Sequence, residues 1–131
     1  MISNDLNNYD AIGALKNRKV IDWENSRNNK INVGDIVYIY ISKPVQAIAI
    51  KAEVIEIDIK KSEALNNDKE YVKIPHYFDE NSRFFRLKLL NFTNKEKLSL
   101  KNLRKHGLNS NLQGKQKVKG ELLDYILKNE M

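Results

Sequence analysis

Two long apolar runs change phase part-way along, and this limits the possible folds more than any other feature of the chain. From Ala47 to Ile59 the apolar residues occupy even positions (Ile48, Ile50, Ala52, Val54) and then odd ones (Ile55, Ile57, Ile59). Phe84 to Phe92 does the same: Phe85, Leu87 and Leu89 alternate, then Leu90 and Phe92 take over. Successive side chains of a strand point to opposite faces, so a mid-strand switch requires a bulge, or a strand that curls from one core face to another. Two such strands favour a small closed barrel over a flat sheet. Ile36 to Ile41 is apolar or aromatic on both faces, the mark of a central strand covered on both sides. Val33-Gly34-Asp35 turns into it, and Lys43-Pro44 ends it, because proline donates no ladder bond.

The remaining segments complete an α+β domain of five to six strands with about three helices. Ala11, Ala14 and Leu15 share one face of a helix over Tyr9–Lys19 that Asn8 or Asp10 can cap. Ile21-Asp22-Trp23 follows, then a polar loop from Glu24 to Lys30. Ser62 to Asp68 reads as a loop and Tyr71 to Ile74 as a short edge strand. Ser99 is the expected N-cap of a helix over Leu100–His106, with Gly107 just past its end. Val118, Leu122 and Ile126, with Leu123 and Leu127, form the apolar stripe of a closing helix over Val118–Lys128.

At 131 residues the chain fits one domain with a core of its own. The absence of cysteine excludes disulfides and thiolate metal sites, and His76 and His106 show no metal-ligand spacing. No cofactor is expected. The N-terminus lacks the basic and apolar regions of a signal peptide, and no apolar run is long enough to span a membrane, so a cytoplasmic location is expected. The net charge is +6, and it is unevenly spread: from Arg83 to Lys119 eleven Lys or Arg face one acid, Glu96. Such a stretch is either the footprint of phosphate contacts or a solvated lysine-rich face.

One resemblance covers the chain from about Tyr9 to Leu127. Ile21-Asp22-Trp23, followed by Val33-Gly34-Asp35 and Ile36-Val37-Tyr38-Ile39-Tyr40-Ile41-Ser42, resembles the opening of EVE-like domains of the PUA superfamily. Ala47-Ile48, Lys51-Ala52-Glu53-Val54, Phe85-Arg86-Leu87, Leu103 to Leu108, Leu112-Gln113-Gly114 and Glu121 to Ile126 continue the series in order. Lys115 follows the Gln-Gly pair where members often carry proline. The resemblance implies a PUA-like barrel that binds nucleic acid and holds one modified base in an aromatic pocket, as EVE and YTH relatives do. It also implies a restriction or defence setting, with DNA favoured over RNA and an effector nuclease or motor domain in cis or in trans.

On that basis the base pocket is expected at Trp23, Tyr40, the Ser42-Lys43-Pro44 loop and the Gln113-Gly114 turn. Each has a plainer alternative. Trp23 either stacks on a base or covers the barrel end, Tyr40 and Tyr38 either approach the pocket or fill the core, and the two loops are either contacts or ordinary turns. Arg83, Arg86, Lys88, Arg104, Lys105, Lys115 and Lys117 are the phosphate candidates, which would position a strand without selecting its sequence. No nucleophile–base set, carboxylate pair or glycine-rich phosphate loop stands out, so the expected function is a nucleic-acid reader and not an enzyme. The rival is a module that binds a small ligand such as a nucleotide, or docks on a protein partner.

Overall fold

The computed structural model describes residues 1–25, 30–109, 112 and 116–131. They form β1 (Ile2–Asn4), α1 (Ala11–Arg18), β2 (Val20–Glu24), β3 (Ile36–Ile41), β4 (Ala47–Lys60), β5 (Arg83–Phe92), α2 (Leu100–Lys105) and α3 (Gly120–Asn129). The five strands make one sheet in the order β1-β3-β4-β5-β2. β1 runs parallel to β3, and the other neighbours are antiparallel.

The phase switches are where the sheet bends. The β4–β5 register shifts between Lys51 and Ala52, between Val54 and Glu56, and between Glu56 and Ile59. Asp58 takes φ 55° within the last of these. Each bulge adds twist, and together they curl the sheet into a half-barrel. The sheet does not close: β1 and β2 are its two edges and are not paired with each other. A seam is left between them. On its β1 side, the side chain of Asn4 ties the strand to the start of α1, donating to the Tyr9 carbonyl at 3.0 Å and accepting from the Ala11 amide at 3.3 Å.

β3 separates two cores, which is why both of its faces are apolar. Val37, Ile39 and Ile41 point into the curl, onto Ile21, Ile50, Val54, Phe85, Leu87 and the inner face of α1. Tyr38 and Tyr40 point the other way, into a second cluster with Ile48, Leu98, Leu103, Leu108, Leu122 and Ile126. This second cluster seats α2 and α3 on the outside of the sheet. The helices start and stop as the local chemistry requires. Asp10 caps α1 through the Gly13 amide at 3.0 Å, and Ser99 caps α2 through the Asn102 amide at 3.3 Å. Gly107, at φ 109°, turns the chain beyond α2. The edge strand expected at Tyr71–Ile74 is a 3₁₀ turn, Lys69–Tyr71, followed by a single bridge from Val72 to Tyr9.

Candidate functional site

A cleft of about 750 Å³ lies at the open seam, between the ends of β1 and β2 and beneath the long β4–β5 connection. The two edge strands supply one wall each: Ser3 and Asn4 from β1, and Asp22, Trp23 and Glu24 from β2. Alternation along β2 buries Ile21 in the core, while Trp23, paired with Phe85 across the strands, is half-buried at its margin. The Trp23 ring meets Tyr9 edge-on, with centroids 6.0 Å apart and planes at 88°. One aromatic surface therefore lines the cleft and packs on the core.

The β4–β5 connection is tied down between Leu65 and Lys73. Leu65 donates to Asp22 at 2.8 Å, Asn67 donates to the Val20 carbonyl at 2.9 Å, and Lys73 donates to the Asn8 carbonyl at 2.8 Å. Tyr9 donates its hydroxyl proton to Asp68 at 2.5 Å. Burial, and then that bond, push the Tyr9 hydroxyl well above its usual pKa, so it remains a donor. Farther along, Phe78 stands edge-on to Phe84 at 5.1 Å and to His76 at 4.7 Å. These three rings close the far side of the cleft.

The charged part of the lining is mainly acidic. Asp5, Asp22, Glu24 and Asp68 face Lys69 and His76. Three of the acids are committed, Asp5 among them, which accepts from the Asn7 amide at 2.9 Å. Asp22 takes a two-pronged ion pair from Arg86, at 2.8 and 3.0 Å, and Asp68 holds Tyr9. Glu24 accepts from the Ser82 hydroxyl at 3.1 Å and lies 3.8 Å from His76 Nε2, with its side chain 28% exposed. The excess of acceptors repels phosphate and receives N–H donors.

The expected pocket residues are not gathered in one place. Trp23 lines the cleft, but Tyr40 does not: it is buried in the second core, beneath α2 and α3, on the far side of β3. Strand alternation sends it there, because it shares a face with Tyr38. Burial raises the pKa of its hydroxyl, against the pull of the neighbouring Arg104. Ser42 braces the end of β1, donating its amide to the Asn4 carbonyl and accepting the Leu6 amide on its hydroxyl, both at 3.0 Å. Lys43 and Pro44 form an exposed turn joined by a cis peptide, beside the cleft wall but outside its lining. Gln113, Gly114 and Lys115 lie outside the described residues.

The phosphate candidates divide. Arg86 is engaged by Asp22, with Glu56 at 3.4 Å, and its side chain is only 19% exposed. Arg83 donates to the Glu80 and Ser82 carbonyls at 3.3 and 3.1 Å. Lys88, Arg104, Lys105 and Lys117 are exposed and in no ion pair with a described residue. Tyr9, Asn4, Asp68, His76 and Phe78 escaped the sequence reading. Only Pro75-His76-Tyr77-Phe78, aromatic within a polar stretch, carried a local signal of the site.

A second cavity, of about 890 Å³, lies against the N-terminal half of β3 and α3, with Lys30, Lys51 and Lys117 on its rim. Lys51 is held there by Glu130 at 2.7 Å. Among the described residues no cluster of His, Asp and Glu could hold a metal ion, and no helix is long and apolar enough to cross a membrane.

No family model matches the chain, and no curated protein matches its sequence. Its fold is similar to that of a crystal structure of a tyrosine-to-phenylalanine variant of ZmASCH from Zymomonas mobilis. The two share 13% identity, with a TM-score of 0.70 over 97% of this chain and 94% of that one. The likeness is one of fold, and with the curled sheet and its three helices it makes this chain a PUA-like half-barrel.

Proposed function

We propose that the chain is a nucleic-acid-binding module of the EVE-like kind that takes one extruded base into the cleft between β1 and β2. The observation that carries this reading is the composition of the cleft: Trp23 and Tyr9 present aromatic surface beside an edge of acceptors, in a volume suited to a small ligand. The charge is unevenly spread over the molecule. The inside of the cleft is acidic, while the exposed cations Lys88, Arg104, Lys105 and Lys117 lie on β5, α2 and the segment before α3. A base enters the cleft and its phosphates stay outside.

Extruding a base costs a few kcal/mol, least for one already unpaired. Stacking on an aromatic ring contributes about 1–3 kcal/mol, and each edge hydrogen bond about 0.5–1.5 kcal/mol. These terms offset the cost only if the base also finds acceptors, which favours bases with an exocyclic amino group. A buried methyl adds about 0.8 kcal/mol, roughly a fourfold preference. Reading of a methylated or hydroxymethylated base in DNA, coupled to an effector nuclease or motor domain in a restriction setting, is the finer form of the proposal. It is supported by the EVE-like series of residues. With Asp5, Asp22 and Asp68 already accepting from the chain itself, Glu24 is the acid placed to receive the amino group of the base.

The test is Trp23→Ala, shown by circular dichroism to remain folded. Its affinity is measured for oligonucleotides carrying 5-methylcytosine, 5-hydroxymethylcytosine, N6-methyladenine or no modification, and for the corresponding free nucleosides. The expected result is a loss of roughly five- to hundredfold for the preferred base. Unchanged affinity for every ligand would show that Trp23 only packs on the core and that the cleft is not the base site.

A further inference from the structure

We infer that the rim of the cleft carries a second stacking site, formed by Tyr77 and His76, for the nucleotide next to the one in the cleft. The inference rests on the base-cleft reading above and adds a subsite to it. His76 and Phe78 line the cleft, whereas Tyr77, between them in sequence, does not. Its ring stands outside, on the rim, 83% exposed. The side chain of His76 is 69% exposed, so two adjacent rings face solvent at the mouth of the cleft. Leu65, Val72 and Ile74 are exposed on the same connection. Single exposed apolar residues are ordinary on a protein surface, but an apolar, aromatic border around one cleft marks a ligand surface.

The rim is also held in place. Phe84 is buried in β5, Phe78 packs edge-on against it, and His76 packs edge-on against Phe78, a chain of rings from the core to the mouth. Lys61 donates to the Phe78 carbonyl at 2.7 Å, and the same ammonium lies 5.1 Å from the centre of the Tyr77 ring. One cation therefore fixes the backbone beside Tyr77 and sits over its ring. The ammonium covers one face of the ring, and the exposure of Tyr77 leaves the other for a base, with a positive charge near at hand for its phosphate. Because stacking uses a face that every base has, this subsite adds affinity for a strand without choosing its sequence. The choice of base stays with the cleft.

The experiment compares Tyr77→Ala, Tyr77→Phe and Trp23→Ala, each with two probes. The first probe is a fluorescein-labelled single-stranded DNA hexanucleotide, read by anisotropy. The second is the free nucleoside that the parent binds best among deoxycytidine, 5-methyldeoxycytidine, deoxyadenosine and N6-methyldeoxyadenosine, read by ligand-observed NMR. Tyr77 is exposed, so its replacement leaves the fold intact. The expected result is that Tyr77→Ala weakens the hexanucleotide roughly five- to hundredfold, leaves the nucleoside unchanged, and is rescued by Tyr77→Phe. If Tyr77→Ala binds the hexanucleotide like the parent while Trp23→Ala loses both probes, the rim subsite is wrong and the cleft reading stands. If Trp23→Ala binds both probes like the parent, the cleft reading is wrong and the subsite falls with it.

Discussion

Replacing Arg86 by methionine should destabilise the fold and barely change the electrostatics of binding. The guanidinium makes two bonds to Asp22, at 2.8 and 3.0 Å, and the Asp22 side chain is only 4% exposed. Methionine retains most of the aliphatic packing but leaves that carboxylate buried and without its counter-charge. Removing one partner of a buried pair costs about 3–5 kcal/mol. Two features reduce the figure here: Asp22 retains the Leu65 amide at 2.8 Å, and Arg86 is itself 19% exposed. A cost of about 2–3 kcal/mol follows. The unfolding entropy of a 131-residue chain is about 0.28 kcal/mol/K, so the midpoint should fall by roughly 7–11 °C. Adding Asp22→Asn removes the buried charge yet keeps an acceptor for Leu65, and should restore at least half of the loss. Thermal unfolding followed by circular dichroism, across the four members of the double-mutant cycle, measures the coupling. An Arg86→Met midpoint within about 2 °C of the parent, together with a fall in nucleic-acid affinity, would refute the reasoning and return Arg86 to the phosphate contacts.

Glu130 anchors the end of α3, accepting from the Tyr38 hydroxyl at 2.6 Å and the Lys51 ammonium at 2.7 Å. Burial alone would raise its pKa, but the bonds from Lys51 and Tyr38 outweigh burial and hold it below its usual value. A depressed folded-state pKa gives stability that is present above the unfolded value of 4.5 and is lost as pH falls through the folded one. Glu130→Gln should therefore be less stable than the parent at pH 7 and flatter in its acid limb, as read from urea unfolding between pH 6 and pH 3. Arg104→Glu with Lys105→Glu should weaken binding of all oligonucleotides alike. It should also shorten the slope of log K against log salt by about 0.9 for each duplex phosphate contact removed. An unchanged slope would mark that part of α2 as a solvated face.

What was legible in the sequence was what local periodicity and capping decide. The phase switches in Ala47–Lys60 and Arg83–Phe92 are properties of neighbouring residues, and they located the bulges that curl the sheet. The doubly apolar run at Ile36–Ile41, the Ser99 cap and the Leu122–Ile126 stripe were equally local, and each became the element it suggested. The site was not legible, because it is assembled from pairings distant in sequence. β1 is three residues long, too short for any period to show, yet it forms one wall of the cleft. Tyr9 meets Asp68 across 59 residues, and Asp22 meets Arg86 across 64. The second of these was hidden in the register of β2 on β5, which converts an apparent phosphate contact into a structural ion pair. Tyr40 went to the core for a related reason: alternation tells which residues share a face, but only the docking of α2 and α3 decides what covers it. Sequence by itself therefore determined the curl and the positions of the helices. The tertiary structure decided which edges stay open and which charges remain free, because both depend on which distant segment arrives to satisfy a backbone edge or a buried charge.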